Sequence, residues 1–592
     1  MTTRYAYNAI GLPVSKTDPL GHSETYTWNS AGQLATATDR KGQLMTYGYD
    51  AAGHLESTYF IPDGNPNARQ VRSWSYGRDE FGRHRGTSDS GDGRSPAGTN
   101  LYYDSVTGKF NQWIDVAGGS QQGPWLLRYA ADSRDLSRSE IRDATVDYSR
   151  DAEHRVTQIQ YAVNGEAPRT FGYTFDALGR LSQATLANGI TASYAWDAAS
   201  QLTGITYKLA DGSVQGDLTY GYDLAGHRTK VGGSLAKADL PQAVSDAQYN
   251  AANQLTRWSG KTFTYDLNGN LASDGVNQYT WNEQNLLAQI TGAVNASFIY
   301  DMWGRRRDQT VNGHRTQSFW IGDELSFTIV DNDYAHRNRQ FSPYPESWLD
   351  ELTYRRIGDD ASQDRYVLRD ANNNVIALTD AKQQSQTQYR YEPYGATTQT
   401  GAADPNPQQY TGRENDGTGL YYYRSRYYSP QTGRFISEDP LGYASGQTNA
   451  YAYVNGNPVS YSDPSGLQFA GGGSYTPPAY VPGGGFGPRT PGSGSQGLDD
   501  WLSNPSGGTF ADSNADDPVV YPNNPDESAE RFKNIPGTPG KQCLDGSVWE
   551  RDKSGHGNRE GDGSQWKRWP NRKSWENGRT PQSVWPDGRI RK

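Results

Sequence analysis

Two groups of residues in this 592-residue chain have the types and spacing to do chemistry. The first lies near the C-terminus. His556 stands between Gly555 and Gly557, with Glu550 and Asp552 before it and Glu560 and Asp562 after it, and Lys567, Arg568 and Arg572 follow. That set suits metal-free cleavage of RNA. A base (His556 or a carboxylate) takes the proton of the ribose 2′-hydroxyl, a second group protonates the leaving 5′-oxygen, and Lys and Arg stabilise the phosphorane charge. A glycine-flanked loop histidine of no special role has the same local sequence. The second group is a pair of Asp-Pro-x-Gly turns, at Asp439 and Asp463. Carboxylates brought close share a proton, so that one acts as base on water while the other acts as acid, and Arg434 is available to set their charge. Taken alone, the sequence favours two ordinary turns.

The charge distribution separates these groups. Residues 531–592 hold fourteen Lys/Arg against seven Asp/Glu, a net +7, while the whole chain is at −10, which leaves −17 for everything before residue 531. A basic end on an acidic body fits a polyanionic target or an acidic partner. A merely solvated tail is disfavoured because Trp549, Trp566, Trp569, Trp575 and Trp585 sit among the charges, and disordered tails are poor in aromatics. Those tryptophans suit a small core, and some suit stacking on unpaired bases. Cys543 is the single cysteine, so intramolecular disulfides and multi-thiolate metal sites are excluded. The residues call for no cofactor and no metal. No run of eighteen apolar residues occurs, so no membrane-spanning helix is expected. Met1–Tyr7 lacks a basic stretch followed by an apolar one, and the expected export route needs no cleavable signal.

The elements that position these residues are repeats. Tyr5-Ala6-Tyr7-Asn8, Tyr26-Thr27-Trp28-Asn29 and Tyr47-Gly48-Tyr49-Asp50 recur every 21 residues, each followed by Gly three places on. Further copies open at Tyr173, Tyr194, Tyr220, Phe263 and Phe298. Alternate aromatics suit one face of a strand. An Asx side chain can bond its own backbone, and Gly accepts positive φ, so each unit reads as strand, tight turn, returning strand. One unit cannot bury its face, but stacked units form a long continuous sheet. The recurring Asp and Tyr are therefore expected to be turn and packing residues, with no catalytic part.

These units resemble the YD repeats of the Rhs family and of the related TcC toxin subunits, over roughly residues 1–467. Residues 410–467, from Tyr410-Thr411-Gly412-Arg413-Glu414 through Gly433-Arg434-Phe435-Ile436-Ser437-Glu438-Asp439-Pro440-Leu441-Gly442 to Asp463-Pro464-Ser465-Gly466-Leu467, resemble the Rhs-associated core. The resemblance implies a spiralling β-shell, cocoon-like, that encloses a C-terminal toxin. It also implies an aspartyl-type autoprotease built on Asp439, Asp463 and Arg434 that cuts Leu467–Gln468. Met1 falls inside a repeat, a departure from longer relatives on which a truncated or displaced cassette is the expectation. The order Trp549-Glu550-x-Asp552-x-x-x-His556-Gly557, then Gln565-Trp566-Lys567-Arg568-Trp569-Pro570, then Val584-Trp585-Pro586-Asp587-Gly588-Arg589 resembles the family catalogued as polymorphic toxin type thirty-seven. A looser likeness is to ribosome-cutting colicins.

The expected organisation is a mainly β chain: repeat shell over 1–409, core over 410–467, a Gly/Pro/Ser-rich linker over 468–530 and a small basic β-rich or α+β toxin domain over 531–592. The expected activity is that of a toxin for competition between bacteria, with an RNase cargo. Its partners would be an acidic immunity protein, a VgrG-like secretion spike and target RNA in the recipient's cytoplasm. A DNase or other toxic cargo is the first alternative. A non-enzymatic surface or carbohydrate-binding repeat protein with a basic tail is the second.

Overall fold

The computed structural model describes residues 2–61, 144–163, 166–301, 304–321, 324–341 and 351–467, the stretch 62–143 mainly as strands, and beyond Leu467 the strand Ala470–Gly471 and five short strands between Phe532 and Val584. Among the described residues there is no α-helix, only 3-10 turns. The chain divides into two compact units, Met1–Ser506 and Gly507–Lys592.

The first unit is built from antiparallel meanders. Twenty strands from Arg4–Tyr7 to Arg228–Gly232 form one sheet, and fourteen from Thr264–Tyr265 to Thr397–Gly401 form another. Each strand pairs with its neighbours in sequence, as at Tyr26↔Ala37 and Tyr194↔Ile205.

The turns follow the expected chemistry. The Asp176 carboxylate accepts from the backbone N–H of Leu178 and of Arg180, both at 2.9 Å, and the Asp176 carbonyl accepts from Gly179 N–H. The same pattern recurs at Asn8, Asp50, Asp223 and Asp380. The fourth turn position has φ near +80° where it is Gly179 or Gly226, and near +60° where Ser200, Asn253 or Asn285 replaces glycine. Positive φ suits glycine because a Cβ clashes there, and asparagine tolerates it next best.

Where an aromatic precedes the Asx, it carries the second device. The register shifts at this residue, for example between Ala195 and Trp196 and between Ile299 and Tyr300. Its polar tip then reaches back to an earlier strand: Trp196 Nε1–H donates to Leu181 O at 2.8 Å, Tyr222 to Leu202 O at 2.8 Å and Tyr300 to Leu287 O at 2.7 Å. Tyrosine and tryptophan thus pack their rings and give a donor to a backbone carbonyl of an earlier strand.

The two large sheets share one core. Ile159, Phe171, Ala192 and Leu202 of the first pack with Phe341, Tyr354 and Leu368 of the second. Polar cross-links join them, including Arg169–Asp364 at 3.0 Å and the Tyr207 hydroxyl, which donates to Arg369 O at 2.7 Å. A four-stranded sheet (Glu414–Asn415, Tyr421–Tyr423, Arg426–Ser429 and Arg434–Phe435) carries the core signature. Its tyrosines fill two clusters, one with Tyr422 and Tyr427, the other with Tyr421, Tyr423, Tyr428 and Tyr453.

The second unit contains one five-stranded antiparallel sheet: Phe532–Asn534, Lys541–Cys543, Val548–Arg551, Trp566–Trp569 and Gln582–Val584, paired in chain order.

Candidate functional site

The hairpin Tyr421–Tyr423/Arg426–Ser429 turns through Arg424 and Ser425, with Tyr423 opposite Arg426. Its two arginines are used separately. Arg424, at φ +61°, donates from one terminal nitrogen to both carboxylate oxygens of Glu414, at 2.6 and 2.8 Å, and lies over the Trp320 ring. Arg426 is 2% exposed and lies flat on Phe435, 3.6 Å from the ring centroid.

Arg426 assembles the site. One of its terminal nitrogens lies 3.1 Å from Asp439 Oδ2 and 3.4 Å from Asp463 Oδ2. The other donates to Ala450 O at 3.0 Å, and Nε–H donates to Gly466 O. Asp439 Oδ1 accepts from Leu441 N–H at 2.9 Å, the bond expected of an Asp-Pro turn. Asp463, 0% exposed, accepts from the Leu467 N–H at 3.0 Å through Oδ1. Both carboxylates are therefore turn residues and also share one cation.

The segment ending at Leu467 is held at successive carbonyls. Arg413 donates to Pro464 O at 3.0 Å, Ser425 N–H to Ser465 O at 3.2 Å and Arg426 to Gly466 O. Gly466 has φ +68°, and a Cβ there would stand 2.5 Å from Tyr423 O. The chain then returns as Ala470–Gly471, which pairs with Tyr461–Ser462. Gln468, on the far side of the expected scissile bond, lies outside the described residues.

Burial raises the Asp439 carboxyl above the usual carboxylate range, against the opposing pull of Arg426. Burial lowers the Arg426 guanidinium below its usual value, opposed by Asp439 and Asp463. A carboxyl shifted toward its protonated form beside a second carboxyl is the arrangement general acid–base hydrolysis uses.

Arg434 is elsewhere. It donates to Asn253 O and to Asn449 Oδ1 and lies over the Tyr249 and Tyr451 rings. The position beside the two carboxylates belongs to Arg426. The sequence signal for it was weak: Arg-x-Arg in a tyrosine-rich hairpin, with arginine a residue that is seldom fully buried.

For the C-terminal group the structure is silent on the main residues. Asp552, His556, Glu560 and Arg572 lie outside the described residues. Glu550, Lys567 and Arg568 are on neighbouring strands, with Glu550 paired to Lys567 and Trp549 to Arg568 in the register. Among the described residues no cluster of His, Cys, Asp and Glu could hold a metal ion, and no helix is long and apolar enough to cross a membrane.

A continuous antiparallel meander of Asx-Gly turns, ending in a tyrosine-packed core with a buried aspartate pair, defines a YD-repeat shell protein. The chain belongs to the teneurin YD-shell family, whose model matches residues 73–459, and RHS repeats match at 7–44 and 28–66. It is 34% identical over 267 residues to the tRNA3(Ser)-specific nuclease WapA of Bacillus spizizenii, a match covering 43% of this chain and 11% of that protein. It is 29% identical over 342 residues to the probable deoxyribonuclease RhsB of Dickeya dadantii, covering 53% of this chain and 23% of that one. The chain thus spans a small part of these relatives' length. In fold it resembles the crystal structure of TcdB2-TccC3, with a TM-score of 0.62 and 17% identity over 78% of this chain and 29% of that one.

Proposed function

We propose that this chain is a self-cutting toxin of the Rhs type, in which the repeats enclose a C-terminal nuclease and the core releases it after Leu467. The observation that carries the reading is the Arg426 nitrogen shared by Asp439 and Asp463, with Asp463 also bound to the Leu467 amide. In this reading Asp463 takes a proton from a water molecule as its oxygen bonds to the Leu467 carbonyl carbon. Asp439, whose protonated form is favoured by burial, gives its proton to the Gln468 nitrogen as the C–N bond breaks. One water is consumed, and a Leu467 carboxylate and a Gln468 amine result.

The cargo is read as a metal-independent RNase acting through His556, with Asp552, Glu550 and Glu560 as further acid–base groups and Lys567, Arg568 and Arg572 on the phosphate. Its support is the +7 charge of residues 531–592 and the tRNA-nuclease name of a shell relative. A second relative's name, probable deoxyribonuclease, supports DNA as the alternative target. Delivery to a competing bacterium on a VgrG-like spike, without a cleavable signal, and neutralisation by an acidic immunity protein complete the proposal. The immunity complex would form fast and weaken with salt.

Expression of residues 468–592 in a susceptible bacterium tests the cargo, alone and as His556→Ala. Growth arrest with degraded RNA and intact plasmid is expected, relieved in the variant. Arrest undiminished by His556→Ala removes that residue from the mechanism. Lost plasmid with intact RNA makes the cargo a DNase. Absence of arrest overturns the toxin reading.

A further inference from the structure

The residue next to Asp439 in the chain is tied to the opposite end of the shell. Glu438 pairs with Arg40, 398 residues away: Arg40 reaches its carboxylate with two nitrogens, at 2.5 and 3.1 Å. Arg40 lies in the tight turn between the strands Leu34–Thr38 and Leu44–Tyr49, where Asp39 binds the N–H groups of Lys41 and Gln43. Its side chain is 6% exposed and also meets Asp18 at 3.0 Å and Glu24 at 3.2 Å. Asp18 belongs to a turn two hairpin turns earlier, and Lys16 braces Glu24 at 3.3 Å. One guanidinium thus joins the first repeats to the core signature.

Further contacts fix the same place. Asn268 donates to Asp39 at 2.7 Å, and Tyr451 donates to Gly269 O at 2.7 Å with its hydroxyl 3.4 Å from Glu438. On the other side of the backbone step, Asp439 N–H donates to Ala450 O at 2.9 Å and the Asp439 carboxylate meets Arg426. Glu438 and Asp439 are consecutive and face different partners. A shift in one moves the other, because a single peptide unit separates them.

We propose that Arg40 is a positioning residue for the self-cut: by holding Glu438 it fixes Asp439 against Arg426 and Asp463, so the core becomes competent only once the first repeats have docked. Arg40 touches no reacting atom. Its effect passes through Glu438 and the backbone of Asp439. The consequence is an order of events in which the first repeats close on the core before the seam opens, and the cargo is not freed from a half-built shell. This rests on the self-cutting reading above.

The test uses the full chain, made by in vitro translation, with the fragment that begins at Gln468 followed over time. Arg40→Met is expected to cut about a hundredfold more slowly, the scale set by a misplacement of about 1 Å at a reacting group. Arg40→Lys, which restores a cation within reach of Glu438, is expected to recover most of the rate. A merely structural role would not predict that recovery in a variant whose thermal melting and protease resistance match those of Arg40→Met. Arg180→Met is the control. Arg180 closes another repeat turn, four residues after Asp176 and paired with it at 2.7 Å, away from the core signature, and its variant should cut at the wild-type rate. If Arg40→Met does not fold, Glu438→Gln decides, since it keeps the side-chain size and loses the charge that Arg40 binds. Cutting at the wild-type rate in folded Arg40→Met or in Glu438→Gln overturns the proposal alone. A wild-type chain that stays intact overturns the self-cutting reading and this one with it.

Discussion

Replacing Asp439 by Asn tests the chemistry at the seam with little change of shape. The amide oxygen can still accept the Leu441 N–H bond that Asp439 Oδ1 accepts at 2.9 Å. The transferable proton is lost, and an uncharged amide faces the Arg426 nitrogen in place of the carboxyl oxygen that lies 3.1 Å from it. Acid–base groups of this kind contribute about 10²–10⁴-fold, or roughly 3–5 kcal/mol of barrier. Asp463→Asn removes the base and should cost a similar factor. Since the two act in one step, the double variant should be little slower than the slower single one. The assay is a time course of the Gln468 fragment by mass spectrometry, with a thermal melt of each variant beside it. The pH dependence has a definite sign. Asp439 donates only while protonated, and burial raises its pKa, so cutting should slow as pH rises through that raised value. That limb should vanish in Asp439→Asn. A folded Asp439→Asn chain that cuts at the wild-type rate would refute the reasoning, because the carboxylate would then have no part in the reaction.

Two further outcomes follow from the same region. Gly466→Ala places a methyl group 2.5 Å from Tyr423 O at φ +68°. The seam must move out of its clamp, so cutting should fall at least tenfold and the melting temperature should drop, by a destabilisation of about 1–3 kcal/mol. Both are read in the same time course and melt. Glu414 is 1% exposed, and burial raises its carboxyl to about 7, against the pull of Arg413 and Arg306. Between the unfolded carboxylate value and about 7 the folded state therefore holds a proton that the unfolded state has lost. This group's contribution is full at low pH and is lost as pH rises to about 7, a change of about 3 kcal/mol. Denaturant unfolding of wild type and Glu414→Gln at pH 5 and pH 8 should show that component in wild type alone.

The sequence by itself determined the repeat architecture. Asx followed three residues on by Gly, with an aromatic just before it, is local chemistry: side-chain oxygen on backbone N–H, and positive φ where glycine stands. Such bonds close within five residues, as at Asp176–Arg180, so they can be read without knowing the rest of the chain. The same locality explains why the many repeat aspartates could be set aside as turn residues. The two aspartates of the seam were also visible, as Asp-Pro turns. What the sequence could not reveal was which cation lies between them. The sequence pointed to Arg434, but the place falls to Arg426 because the tyrosine hairpin turns it onto Phe435 and beneath the seam. The Arg40–Glu438 pair was beyond sequence reasoning for the same physical reason. Its members are 398 residues apart, and only the packing of the first repeats against the core brings the two charges together in a largely buried place.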